Sequence, residues 1–317
     1  MKRIPSLVLS AAFASLMAST AMASDYPTQA ITVIVPYGAG GGGDTVARIV
    51  SDKLSDELGV TINVVNRPGA GGEIGISEMA AADADGYTLG VFGYPDNFVI
   101  ESTREVDFNS DEDLVFLAQF DNMPMGIFAK PNAAYTNLDE LQAYASENPG
   151  ALIIGESGAL GLLSALALAD NLDVTLTDVR YGGGGDLLNA LLGEHIDLAS
   201  TSSMSHDPIV DAGGAPIAFA ASERMDMFPD VPTLRELGYD QVMEVGRVIV
   251  APAGVPDEVL ERLTEALDAI STDEEMMATF ANASLPYAYL GHEAVNEKIE
   301  ASNAAFGAVI EAHADKF

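Results

Sequence analysis

The sequence predicts an α/β protein. Strand-like apolar runs alternate along the chain with segments of helical period, and twice an apolar run leads through a glycine-rich turn into an amphipathic helix. The predicted strands are ITVIVP, TINVVN, TLGVFG, GIFAKP, ALIIG, TLTDVRY, IDLAST, PIAFAAS and RVIVAP. Between them, Val46, Ile49, Val50, Leu54 and Leu58 share one helix face, as do Val259, Leu260, Leu263, Leu267 and Ile270. A last helix, about His292 to Ala312, sets Val295, Ile299, Phe306 and Ile310 on its buried side. Helix starts are expected at the N-cap candidates Asp44, Asp186 and Asp257, and Thr136 with Asp139 reads as a variant capping box.

The first 23 residues place Lys2 and Arg3 ahead of an apolar stretch and end at Ala21-Met22-Ala23, the pattern of a secretory signal peptide cut before Ser24. That stretch is well short of the roughly 20 residues a membrane span needs. Cleavage leaves 294 residues, enough for two domains, with no cysteine for a disulfide or a lipid anchor. Losing Lys2 and Arg3 but no acid takes the net charge from −34 to −36. Such a chain is a poor partner for nucleic acid or an anionic membrane. Acids spread this way, with few lysines, resemble the surfaces of proteins from salt-loving organisms, where screening removes self-repulsion.

The two glycine turns are PYGAGGGGD, Pro36 to Asp44, with five glycines in six residues, and RYGGGGDLL, Arg180 to Leu188. In parallel sheets such turns lie at the carboxyl ends of strands, where open α/β folds bind ligands. Bare backbone there lets a ligand approach the free N–H groups of the following helix, whose partial positive charge favours an anion. If the turns belong to different domains facing a cleft, one ligand with two acidic ends could bridge them.

Enzymatic alternatives find little footing. Gly38, Gly40 and Gly43 satisfy G-x-G-x-x-G, but the next strand ends at Asn66 where a dinucleotide site needs an acid, and no G-K-[ST] follows either turn. There is no G-x-S-x-G, and His195, His206, His292 and His313 occur singly, without metal-ligand spacing. His195 falls where a helix ends before a strand, whereas His206, in STSSMSHDP, is the histidine positioned to face a cleft. Asp44 and Asp186 read as caps in preference to an acid/base pair.

In order and spacing, six blocks of the chain carry a closer likeness. They are YPTQAITVIVPYGAGGGGDTVAR, VVNRPGAGGEIG, DADGYTLGV, VRYGGGGDLLNALLGEHIDL, FPDVPTLRELGY and APAGVP. With them the sequence resembles the extracytoplasmic substrate-binding receptors of tripartite tricarboxylate transporters, the Bug receptors, over essentially the whole chain after the signal. The resemblance implies a type II periplasmic binding protein, two α/β lobes joined by two crossing strands that act as a hinge. Lobe 1 would comprise residues 24–125 with 247–317, and lobe 2 residues 126–246, entered through GIFAKP and left through RVIVAP.

It further implies a periplasmic, monomeric receptor without enzymatic activity, metal or cofactor, which delivers a small carboxylate to a two-component membrane permease. Family ligands are di- and tricarboxylates, acidic amino acids and some aromatic acids, held by backbone amides and water. Carried over by position, Tyr37, Ala39, Gly40, Gly41 and Asp44 form the first carboxylate loop. Gly155, Gly158 and Ala159 fall on the turn opening lobe 2's ligand-facing helix, and Tyr181, Gly183 and Gly184 on the third loop, with Ser202 completing the set. Gly43 and Asp186 depart from the family pattern, and Arg247 lacks its usual neighbours. Glu156, Leu160 and Leu162 replace small or polar groups near Ser164. This leaves open a less polar or aromatic acid as ligand, leucines that simply pack beneath the helix, and a receptor that feeds a sensor instead of a permease.

Overall fold

The computed structural model describes residues 26–182, 184–283 and 285–316. The predicted signal peptide and Gly183 lie outside the described residues. Among the described residues no helix is long and apolar enough to cross a membrane.

The chain begins β1 (Ile31–Val35), α1 (Gly42–Leu58), β2 (Ile62–Asn66), α2 (Glu73–Ala80), β3 (Thr88–Tyr94) and α3 (Asp96–Thr103). Then come α4 (Ser110–Asp113), β4 (Leu114–Asp121), β5 (Met123–Ala129), α5 (Leu138–Glu147), β6 (Ile153–Ser157), α6 (Gly158–Leu172) and β7 (Thr177–Tyr181). After these follow α7 (Gly184–Leu192), β8 (Leu198–Ser202), α8 (His206–Asp211), β9 (Ala215–Phe219) and β10 (Glu244–Pro252). The chain closes with α9 (Asp257–Ile270), α10 (Glu274–Asn282), β11 (Tyr287–Leu290) and α11 (His292–Ala312).

The strands pair in two groups. In one, β1 lies parallel between β2 and β3, and β10 runs antiparallel between β3 and β4, with β11 at the edge. In the other, β6 is parallel to β7 and β8, and β5 runs antiparallel between β8 and β9. β10 joins them: Gly246 onward pairs with β3, whereas Glu244 and Val245 pair with Pro124 and Met123 of β5. The other connection is Asn122, between β4 and β5. These crossings bring the segment after β3 against the segment after β6, where Asp96 meets Leu160, and the glycine turns follow the carboxyl ends of β1, β6 and β7.

Alternation along β1 divides the first core. Val33 and Val35 face α1 and α9, meeting Val46, Val50, Leu54, Leu263 and Leu267, while Ile34 joins Ile76, Phe92, Val248, Val295 and Ile299 on the other side. All the apolar positions expected inside α1, α9 and α11 are buried or half-buried there.

Helix starts differ from expectation in register. Gly41, not Asp44, is the N-cap of α1; Pro256, not Asp257, is that of α9; Asp186 is exposed within the first turn of α7. In α5 the box is Asn137 with Glu140: Asn137 Oδ1 accepts from the Glu140 N–H, and Glu140 accepts from the N–H of Thr136. Backbone geometry alone can open a helix, so an acid near the start need not mark its first residue.

Candidate functional site

The first loop leaves β1 through Pro36 and Tyr37 and enters α1 at Gly42. Gly41 caps the helix in an extended conformation (φ −78°, ψ 169°) with no side-chain hydrogen bond, so no side chain covers the first-turn N–H groups. The glycines divide by what a side chain would meet. A Cβ on Gly42 would lie 2.6 Å from an Nη of Arg247, and one on Gly43 would lie 2.5 Å from the Tyr37 ring. At Gly38 and Gly40 nothing stands within 4 Å, and at Gly41 only the Gly38 carbonyl, 3.4 Å away. Gly40 also has φ +81°, a conformation that costs a residue with a Cβ. Gly42 and Gly43 are thus bare for internal packing, whereas Gly38, Ala39, Gly40 and Gly41 form the exposed surface.

Asp44 braces this loop from within. The residue is 3% exposed; Oδ2 accepts from the Gly40 N–H (2.8 Å) and Arg48 Nε (3.0 Å), and Oδ1 from Asn66 Nδ2 (2.9 Å). Arg48, the Gly40 N–H and Asn66 together pull its pKa down to about 2. Asn66 Nδ2 also donates to the Tyr37 carbonyl, so the end of β2, which lacks the dinucleotide acid, holds the loop instead. With both oxygens engaged inward, Asp44 sets the loop's shape and presents no free oxygen to a cleft.

Tyr37 lies beneath the loop, its hydroxyl donating to Asn97 Oδ1 at 2.7 Å. The same oxygen accepts from the Gly93 N–H at 2.8 Å, and a Cβ on Gly93 would collide with the Tyr37 hydroxyl. Burial pushes the Tyr37 pKa up, keeping it a neutral donor. Next to Asn97, Asp96 reaches the other half of the molecule: its Oδ1 accepts from the Leu160 N–H in the first turn of α6, at 3.3 Å. Burial raises the Asp96 pKa.

On the facing side, Ser157 caps α6 without a side-chain hydrogen bond, and Gly158 (φ +74°) has open space around it. Ala159 packs part-buried against the core. Gly155 is bare for another reason: a Cβ would lie 2.5 to 3.1 Å from Ile196, Leu187 and Tyr181. Tyr181 therefore turns one ring edge into the core beside α7, while Gly182, Gly184 and Gly185 stand in open space. Ser202, at the end of β8, bonds Met123 Sδ beside the crossover and caps the turn at Met204.

Glu156, Leu160 and Leu162 are each 1% exposed. The leucines pack beneath the helix, so they lend no support to a less polar ligand. His206 stacks on Phe228 at 4.0 Å and pairs with Asp207 at 2.8 Å, which makes it a packing residue beside Phe219 and Phe228; His195 is exposed past the end of α7 as expected. Among the described residues no cluster of three or more acids and histidines is placed to hold a metal ion.

Arg247 acquires a role. Its N–H and Nη1 both donate to Asp121, at 2.8 and 2.5 Å, and Asp121 is fully buried. Its guanidinium lies against Gly42, adding positive charge beside the first turn of α1. Asn66, Asn97, Asp96 and Asp121 escaped the sequence reading. Asn66 ends a predicted strand without standing out as a site residue, and the other three lie between predicted elements, in segments the sequence pattern assigns to none.

The sequence profile described as the tripartite tricarboxylate transporter family receptor matches residues 46–314. A UPF0065 protein of Agrobacterium vitis is 31% identical over 274 residues, covering 85% of this chain and 79% of its own. Among solved structures, a TctC solute binding protein from Polaromonas shares the fold at TM-score 0.80, with 24% identity over 90% of this chain and 99% of that one. MatC from Rhodopseudomonas palustris with bound malate follows at TM-score 0.73 and 25% identity, covering 90% of this chain and all of that one. Receptors of this family are periplasmic solute-binding proteins, and the Polaromonas and Rhodopseudomonas structures share the two-lobe α/β architecture. The chain belongs to the tripartite tricarboxylate transporter receptor family.

Proposed function

We propose that the protein captures a small organic acid in the periplasm, as a monomer after removal of residues 1–23, and delivers it to a two-component membrane permease. The observation that carries this reading is the open backbone at Gly38, Gly40 and Gly41 before the first turn of α1, with open space likewise at Gly158, which opens α6, and at Gly182, Gly184 and Gly185 around the start of α7. Each presents helix N–H groups that attract a carboxylate. The bound malate of MatC is the kind of ligand these turns suit. Tyr37, Ala39, Gly40, Gly41, Gly158, Ala159, Tyr181, Gly183, Gly184 and Ser202 are proposed to border the ligand, with Asp44 as the brace behind them.

The lobes divide in this reading as residues 24–125 with 247–317, and 126–246. The crossings at Asn122 and between Val245 and Gly246 lie within a few residues of those bounds. Ligand binding stabilises the closed arrangement over the open one through contacts made to both lobes at once.

A thermal-shift panel of mono-, di- and tricarboxylates, acidic amino acids and aromatic acids at high salt tests this. A ligand at about 100 times its dissociation constant adds roughly 2.7 kcal/mol, a shift of several degrees. Silence toward every acid, in protein shown by mass spectrometry to carry no co-purified ligand, would overturn the reading.

A further inference from the structure

We infer that Arg104 and Arg180, one from each lobe, form a second anion subsite that makes the receptor select acids with two carboxylates over those with one. The inference rests on the carboxylate-receptor reading and names the class within it. A cavity of about 270 Å³ opens between the end of α3 and the start of α6, lined by Ile100, Thr103 and Arg104 on one side and Gly158, Ala159 and Arg180 on the other.

Both arginines are anchored through part of the guanidinium, and the rest of it has no partner among the described residues. One Nη of Arg104 donates to the Ala70 carbonyl (2.5 Å) and meets Glu73 (2.8 Å). Arg180 commits Nε to Glu156 at 3.1 Å. The side chains remain 45% and 53% exposed and both residues line the cavity, so the N–H groups not engaged by these partners are available to a ligand there. Glu156 stands opposite Arg180 in the β6–β7 register, so both leave the same sheet face. That face carries α6, because a Cβ on Gly161 would lie 3.5 Å from the Glu156 Cβ. Arg180 is thereby aimed over the first turn of α6. The buried Glu156 acts as its anchor, with Oε2 unpartnered among the described residues.

The cavity adjoins the first loop through one short turn. Ala70, which holds Arg104, precedes Gly71 and Gly72; a Cβ on Gly71 would meet Ile100, and one on Gly72 would lie 3.5 Å from the Tyr37 ring. Asn97, under Tyr37, and Arg104 are the two ends of α3. Their separation is on the order of 10 Å along the helix, less the reach of an arginine side chain. One carboxylate on the glycine loop and another between the arginines would be joined by a chain of several carbons. Paired guanidinium groups suit the far end because they grip a carboxylate bidentately.

The test is calorimetry on the full mature chain with straight-chain diacids of four to six carbons and the matching monoacids. The variants are Arg104→Gln, Arg180→Gln and Glu156→Gln/Arg180→Gln, the last keeping Glu156 from being left as an uncompensated buried charge. The wild type is expected to prefer diacid to monoacid by roughly 10- to 100-fold, as a charge-assisted pair gives. Arg104→Gln and the Glu156→Gln/Arg180→Gln pair should each collapse that ratio toward one. A wild type that binds both classes equally, or variants that keep the ratio, overturns the subsite while leaving the carboxylate reading intact. A wild type that binds neither class overturns both.

Discussion

Replacing Asp44 by Asn removes the charge from the brace behind the first loop. In the native protein Arg48, the Gly40 N–H and Asn66 draw its pKa from 3.8 to about 2. At neutral pH that preference for the charged form amounts to about 2 kcal/mol of stability, with the Arg48 contribution discounted because that side chain is half-exposed. Because the folded pKa is depressed, this stabilisation is complete well above pH 3.8 and is lost as pH falls toward 2. An Asn amide keeps one oxygen but turns a donor toward the Gly40 N–H or toward Asn66, so the loss at pH 7 is expected to be at least that large.

For a cooperative unit of 150–250 residues, about 2 kcal/mol lowers the melting temperature by roughly 4–8 °C. Melting curves of wild type and Asp44→Asn at pH 7, 5 and 3, at constant high ionic strength, measure it. The difference should be largest at pH 7, hold at pH 5 and shrink by about half at pH 3. Arg48→Ala, which removes only the exposed partner, should cost about 1 kcal/mol or less. A difference that is absent at pH 7, or constant from pH 7 to pH 3, would show that Asp44 does not brace the loop as a charged group.

The two kinds of glycine predict opposite phenotypes: Gly41→Val should abolish carboxylate binding with little change in melting temperature, whereas Gly43→Ala should cost about 1–3 kcal/mol by driving its methyl into the Tyr37 ring. Asn97→Ala strands the Gly93 N–H and the Tyr37 hydroxyl, and a loss of about 2–5 kcal/mol is expected in urea unfolding. Arg247→Ala leaves Asp121 buried without its cation, a loss of about 3–5 kcal/mol by the same assay. Burial raises the Asp96 pKa, so the folded state holds its proton more tightly than the unfolded chain, and stability falls as pH rises through that range. Asp96→Asn should accordingly melt higher than wild type at pH 7, and the gap should narrow as pH is lowered; an unchanged gap would exclude titration of Asp96.

What could be read from the residues was whatever repeats locally. α1, α9 and α11 announce themselves because their apolar positions return at helical spacing, and the glycine turns do so because five glycines in six residues have few other uses. β4 was missed: Leu114 to Asp121 is buried at all positions but Val115, shows no alternation, and passes into β5 across the single residue Asn122. α3 was missed because eight residues after Pro95, with a weak apolar stripe, do not separate from a loop.

Those two omissions removed the residues that tie the site together, since Asp121 ends β4 and Asp96, Asn97 and Arg104 belong to α3 or its end. The glycine run itself was read too uniformly. A sequence gives no means of telling a glycine that clears space for a ligand from one that clears space for Tyr37 or Arg247, because the distinction depends on how the loop folds back on Tyr37 and on which side chain arrives from β10. Gly42 and Gly43 are needed for packing, and Gly38, Gly40 and Gly41 are free of it. The packing pair holds the loop rigid by letting Tyr37 and Arg247 close beneath it, which keeps the open trio pre-organised at no cost to their exposure. A receptor that must grip an anion with backbone amides needs both kinds side by side: without the first the loop would sag, and without the second there would be nowhere for the carboxylate to sit.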